Sequence, residues 1–190
     1  MSPIQFSAFL SVCGRRDKLI SMRIPVAFLV LLASPALVAP QLSAPDSPSI
    51  PDNLKPPAGA TKILEAHAAG AQIYICEGST WVFSRPEAKL FDESGKQIGS
   101  HFAGPTWESS DGSRVTAKAI ANATPDPQSI PWLLLQAKGH ERTGLLSGVS
   151  MIQRIDTKGG MAPAEGCDAA HKGQEARAHY TAVYVFYAGS

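Results

Sequence analysis

After residue 58 the apolar and polar positions of the chain alternate with a period of two. In residues 71–76, Ile73 and Ile75 fall on one side and Gln72, Tyr74 and Cys76 on the other. Trp81 and Phe83 share a side within residues 80–84. In residues 114–120, Val115, Ala117 and Ala119 oppose Arg114, Thr116 and Lys118. Such alternation belongs to strands with one face on a core. It predicts further strands over 61–68, 88–91, 96–102, 106–108, 132–137, 145–155 and 180–187. Asp92-Glu93-Ser94-Gly95 and Ser109-Ser110-Asp111-Gly112 supply tight-turn chemistry between them. No window of 11–18 residues carries a helical period. The prediction is therefore an all-β single domain, an antiparallel β-sandwich or flattened β-barrel with long Gly-rich loops. The run 180–187 is apolar on both faces, which suits a central strand or one that shows an aromatic face to a partner.

The pattern upstream is different. Arg15, Arg16, Lys18 and Arg23 precede an apolar run from Ile24, loosely continued to Ala39 and broken by Pro25 and Pro35. A charged segment followed by a short, interrupted apolar one predicts an export signal over residues 1–39 rather than a spanning helix. Ser34-Pro35-Ala36 offers small residues for cleavage. Met22 opens a more compact signal and is read as the true start. Residues 40–58 hold six prolines in nineteen positions, a composition that favours polyproline II and predicts a spacer without a core of its own. Residues 59–190 are left as the β domain. All three Trp and all four Tyr lie after residue 70.

Charge and cysteine count change with that division. The whole chain is +1. Residues 1–44 carry four Lys/Arg and one Asp, so removing them leaves −2. A near-neutral chain of mixed sign has no electrostatic footprint for nucleic acid and no basic amphipathic helix for a membrane surface. Cleavage also removes Cys13, leaving Cys76 and Cys167. In an exported domain two cysteines read first as a disulfide, here closing a loop of 91 residues and contributing about 4–5 kcal/mol by chain entropy. A metal site from Cys167, His171 and His179, or a free thiol, is the alternative chemistry.

Two stretches could carry function. In residues 101–112, His101, Glu108 and Asp111 are candidate acid/base groups beside Trp107. They compete with simpler roles: Asp111-Gly112 as turn, Trp107 as core. In residues 128–135, Trp132 is a candidate stacking platform beside three Leu, an environment that more often marks a core. Arg154 could bind an anion or pair with Asp156 or Glu108. Several enzyme motifs are absent. There is no G-x-G-x-x-G; Leu145 stands where a phosphate loop needs Lys; Gly144 replaces the second His after His140-Glu141; and Leu145-Leu146-Ser147-Gly148 lacks the first Gly of a nucleophile elbow. Asn122-Ala123-Thr124 is a glycosylation acceptor followed by an unfavourable Pro125.

Six runs occur in order: 71–76 AQIYIC, 103–108 AGPTWE, 130–135 IPWLLL, 152–154 IQR, 166–170 GCDAA and 180–182 YTA. Together they resemble the signature runs of the domain-of-unknown-function family 3455, over about residues 50–190. The resemblance implies one exported domain of bacterial or fungal type and supports pairing Cys76 with Cys167. It implies no activity, cofactor or site residue.

The expected protein is thus periplasmic or secreted, with no cofactor, no bound metal and no membrane anchor after signal cleavage. Its first expected role is a non-catalytic binding module for a small molecule or glycan, on an aromatic face drawn from Trp107, Trp132, Tyr74 or Tyr184, with Arg154 beside it. The second is an extracellular lyase or hydrolase using His101 and Glu108, with Asp111 or Arg154 assisting. The third is a structural envelope protein whose last strand pairs with a neighbour.

Overall fold

The structure, a computed structural model, describes residues 49–189; the expected signal and the first part of the Pro-rich stretch lie outside the described residues. Eight antiparallel strands follow one another around a closed barrel in chain order: β1 (Thr61–Cys76), β2 (Trp81–Phe91), β3 (Gln97–Phe102), β4 (Thr106–Ser109), β5 (Arg114–Ala123), β6 (Trp132–Glu141), β7 (Val149–Gly159) and β8 (Glu175–Ala188). Of the two expected architectures this is the barrel. β8 pairs with β7 on one side and with β1 on the other, from Thr61↔Ala188 to Ile75↔Glu175. The apolar strand 180–187 is therefore the closing stave of the ring. Both its edges are hydrogen-bonded, so it offers no edge for a neighbouring molecule to extend.

Two pairs of expected strands are each one strand. Residues 61–68 and 71–76 join through Gly70. There β1 lies so close to β2 that a Cβ would collide with the Glu87 carbonyl oxygen and the Ala88 backbone. Residues 80–84 and 88–91 join through Pro86. Its missing N–H is harmless because β2 meets β3 only from Ala88 to Phe91. The hairpin of β3 and β4 is simply too short to reach further. On its other side, β4 pairs with β5 only over Arg114–Thr116. The first half of β2 and the second half of β5 thus face each other without a strand between them, and the barrel wall has a window there.

Inside, Ala66, Ala68, Leu90, Trp107, Val115, Leu135, Ile152, Tyr184 and Phe186 form the main core. A second cluster lies outside the ring, where Trp132, Leu134 and Met151 are covered by Leu54. Leu54 is fully buried, and its carbonyl accepts 2.5 Å from the Nε2 of Gln153, whose Oε1 accepts from Tyr187 at 2.7 Å. Asn53 Nδ2 donates to the Asn122 carbonyl at 2.9 Å. The described end of the Pro-rich stretch is therefore docked on the barrel rather than a free spacer: its single leucine covers apolar surface that β6 and β7 turn outward.

Cys76 and Cys167 form a disulfide, tying the end of β1 to the long loop before β8. That loop is held further by Trp81 Nε1 donating to Glu165 O (2.9 Å) and Gly173 N donating to Cys76 O (2.8 Å). Outside β1, Arg85 pairs with Glu175 and Glu87, and Arg177 pairs with Glu87. These charges flank Ile73 in register from both neighbouring strands, and Ile73 is fully buried. No helix among the described residues is long and apolar enough to cross a membrane.

Two stability outcomes follow. Leu54→Ala lowers unfolding free energy by about 3 kcal/mol, because it removes a fully buried side chain from a packed cluster; a urea titration reads it, and an unchanged midpoint refutes the docking. Replacing Cys76 and Cys167 together by Ser costs about 2–5 kcal/mol, measured the same way under non-reducing conditions.

Candidate functional site

The window opens into a cavity of about 770 Å³ in the barrel mouth. All eight strands and the β3–β4 turn contribute to its wall. Phe83 and Pro86 come from β2, Gly104 and Pro105 from the turn, Ala117 and Ala119 from β5, and Leu133 and Leu135 from β6. The wall is mainly apolar. Its volume falls in the range that accepts one small organic molecule, which is what an eight-stranded barrel can hold when side chains do not fill it.

The buried polar groups of this wall, Gln72, His101 and Tyr184, come from inward positions, as does part-buried Arg154. His101 of β3 faces Trp107 of β4 directly across the ladder. Their rings stack with centroids 4.3 Å apart and planes at 14°, and Tyr184 of β8 packs edge-on against both. His101 is almost fully buried, and its Nδ1 lies 2.9 Å from the Thr106 carbonyl. A carbonyl only accepts, so Nδ1 carries the proton and Nε2 is left with its lone pair. Burial pushes the imidazole pKa down to about 3, and the nearby charge of Arg154 pushes the same way. At neutral pH this ring is uncharged. Burial likewise raises the phenols of Tyr180 and Tyr184, with Arg154 pulling in the opposite direction.

Arg154 of β7 is positioned by the segment before β6. Its Nε and Nη2 donate to the Pro131 carbonyl at 3.1 and 2.8 Å. The neighbouring Ile130 carbonyl accepts from Thr157 Oγ1 at 2.6 Å, so two side chains of β7 clamp this segment. Arg154 makes no ion pair among the described residues. Lys118 and Lys138 stand at the rim, and among the described residues no Asp or Glu lines the cavity. Two further donors are buried here without a partner: Trp107 Nε1 and Gln72 Nε2.

The structure brings some of the expected residues together and separates others. Trp107, Arg154, His101 and Tyr184 line one cavity. Trp132 does not. Alternation along β6 sends Leu133 and Leu135 inward and Trp132 outward, beneath Leu54. Tyr74 is spent on packing: its hydroxyl donates to Gly160 O at 2.7 Å and its ring meets Phe83 edge-on. Glu108 pairs in register with Ser100, one residue along from His101, so it points to the opposite face of the sheet. There it binds Arg114 at 2.9 Å. The acid/base pair His101–Glu108 is not assembled. Asp111 is a turn brace: its carboxylate accepts from Ser113 N and Oγ and from Leu145 N, contacts that hold its pKa down to about 2. Arg154 meets neither Asp156 nor Glu108; Asp156 faces Lys158. Cys167 is taken up by its disulfide and His171 by Asp168 at 2.6 Å. Sequence reading missed Gln72, Lys118 and Lys138. Gln72 had a signal, since it shares the face of Tyr74 in an otherwise apolar strand.

A family model described as "Protein of unknown function (DUF3455)" matches residues 57–188. The match covers well over half of the chain, and the protein belongs to that family. No curated protein and no solved structure matches it.

The neutral imidazole sets a pH dependence. Below pH 6.5 the unfolded chain binds a proton at residue 101 that the folded barrel refuses, so stability falls as pH falls from 6.5 towards about 3. Between pH 7.5 and 5.0 this amounts to about 2 kcal/mol, lost before the carboxylates titrate. Urea titrations at the two pH values measure it. In His101→Gln the loss shrinks to the contribution of the remaining groups.

Proposed function

We propose that this protein is an exported binding module that holds one small, mainly apolar molecule in the mouth of its barrel. The cavity carries the reading: about 770 Å³, lined by Leu133, Leu135, Ala117, Phe83 and Pro86, reached through the window beside the short β3–β4 hairpin. Concave apolar walls with a few converging polar groups favour a compact guest over a flat sugar face. The aromatic platform expected for a glycan is also divided, with Trp107 inside and Trp132 outside. Export rests on the charged-then-apolar leader of the sequence and on the disulfide, which persists in oxidising compartments.

The neutral dye N-phenyl-1-naphthylamine tests it. Its fluorescence rises on saturable, one-to-one binding with micromolar affinity. Leu133→Trp, which adds bulk at a partly exposed position of the wall, abolishes the rise while circular dichroism stays that of the parent barrel. Absence of saturable binding to the folded parent, or equal binding to the folded Leu133→Trp variant, overturns the proposal.

A further inference from the structure

Resting on that binding reading, we infer that the ligand is an amphipathic anion, an apolar body ending in a carboxylate, whose headgroup is received by Arg154, Trp107 and Gln72. The three residues come from β7, β4 and β1 and line the same cavity. Each offers N–H groups. Trp107 is 1 % exposed and Gln72 2 % exposed, and the indole Nε1 and amide Nε2 have no acceptor. A buried donor left unpaired is destabilising, because it has given up its hydrogen bonds to water. Two such donors in one cavity wall make a site whose missing half is an acceptor. A carboxylate supplies oxygens that only accept.

Charge separates an anion from a neutral acceptor such as an amide or alcohol. Arg154 is part-buried, held in place by the Pro131 carbonyl, and matched by no carboxylate among the described residues. A carbonyl satisfies two guanidinium N–H groups but leaves the charge uncompensated. Three other arginines are ion-paired, Arg85 and Arg177 with Glu87 and Arg114 with Glu108 and Glu141, while Arg142 is exposed to water and Arg154 is not. At the rim Lys118 and Lys138 add the same sign, and no acidic side chain among the described residues lines the cavity to offset them. The imidazole of His101 contributes no charge of its own. The potential inside this mouth is therefore positive over an apolar floor, although the mature domain as a whole is close to neutral. A cationic guest would meet Arg154 and two lysines with nothing to balance it.

A matched set of probes differing only in headgroup tests this: decanoate, 1-decanol and decylamine, each displacing N-phenyl-1-naphthylamine at pH 8 and low salt. Decanoate binds roughly tenfold or more tightly than decanol, as expected for hydrogen bonds to a charged group, and decylamine binds weakest. Arg154→Gln removes the preference of decanoate over decanol. Trp107→Phe, which keeps an aromatic ring and deletes the donor, lowers the preference of decanoate over decanol severalfold. If Arg154→Gln fails to fold, the headgroup ranking of the parent protein still decides. Dye binding with decanoate no tighter than decanol overturns the anion inference and leaves the cavity reading standing. Failure of the dye and all three probes overturns the cavity reading itself.

Discussion

Closure of the ring by β1 and β8 is the constraint on which the rest of the structure depends. These are the two longest strands, 16 and 14 residues, and they pair along almost their full length. Once they are zipped together the other six strands must complete a circle, whatever their lengths. Two cannot match: β3 has six residues and β4 four. A closed sheet tolerates such a short hairpin at one end, where the interior core keeps it paired, and is open at the other. Pro86 sits on the unpaired stretch that results, where no ladder bond is asked of it. The window is thus a geometric consequence of unequal staves around a closed circumference.

That opening explains why polar side chains can stand at inward positions. At the closed end the interior is filled by Ala66, Leu90, Val115, Ile152 and Phe186. At the open end the same inward alternation delivers Gln72, His101 and Arg154. Their burial differs in kind. His101 meets its demand by staying neutral and giving one proton to the Thr106 carbonyl. Arg154 cannot shed its charge and instead leans on Pro131. Gln72 and Trp107 keep donors that nothing in the described chain accepts. Local packing would be better served by apolar residues at these places, which is why the wall reads as a receiving surface rather than as core.

How far the sequence spoke depended on the range of the interactions involved. Period-two alternation in 71–76 and 114–120, and turn chemistry at Asp92–Gly95 and Asp111-Gly112, are local, and the strands they imply are present. Gly70 and Pro86 lie between runs expected as separate strands, and both residue types commonly interrupt a strand. Each is allowed by what lies beside it: close backbone contact with β2 in one case, the missing β3 partner in the other. Register is still less local. Glu108 and Trp107 are adjacent in sequence, yet one faces Arg114 and the other the cavity. Trp132 beside three Leu suggests a core more than a platform, but that this core lies outside the ring, beneath Leu54, depends on a segment distant in sequence. The window follows from relative strand lengths around a ring, which no single run of residues displays.

The disulfide bears on the same mouth from behind. Cys167 lies in the loop between β7 and β8, and that loop begins at Gly160, whose carbonyl accepts from Tyr74 two residues before Cys76. Gly160 itself fits only without a side chain: a Cβ there would press on Tyr180, Ile130 and Gln72. One end of the loop is thus wedged against the cavity residue Gln72, and its middle is fixed covalently to the end of the same strand. A loop of about fifteen residues with little regular structure would otherwise sample many conformations, at an entropic cost to anything it helps to position. Tying it to β1 holds Gln72 and the Ile130–Pro131 segment, and through Pro131 the guanidinium of Arg154, in one arrangement before any guest arrives. Preorganised donors give selectivity that mobile ones cannot, because the ordering is completed on folding rather than on binding.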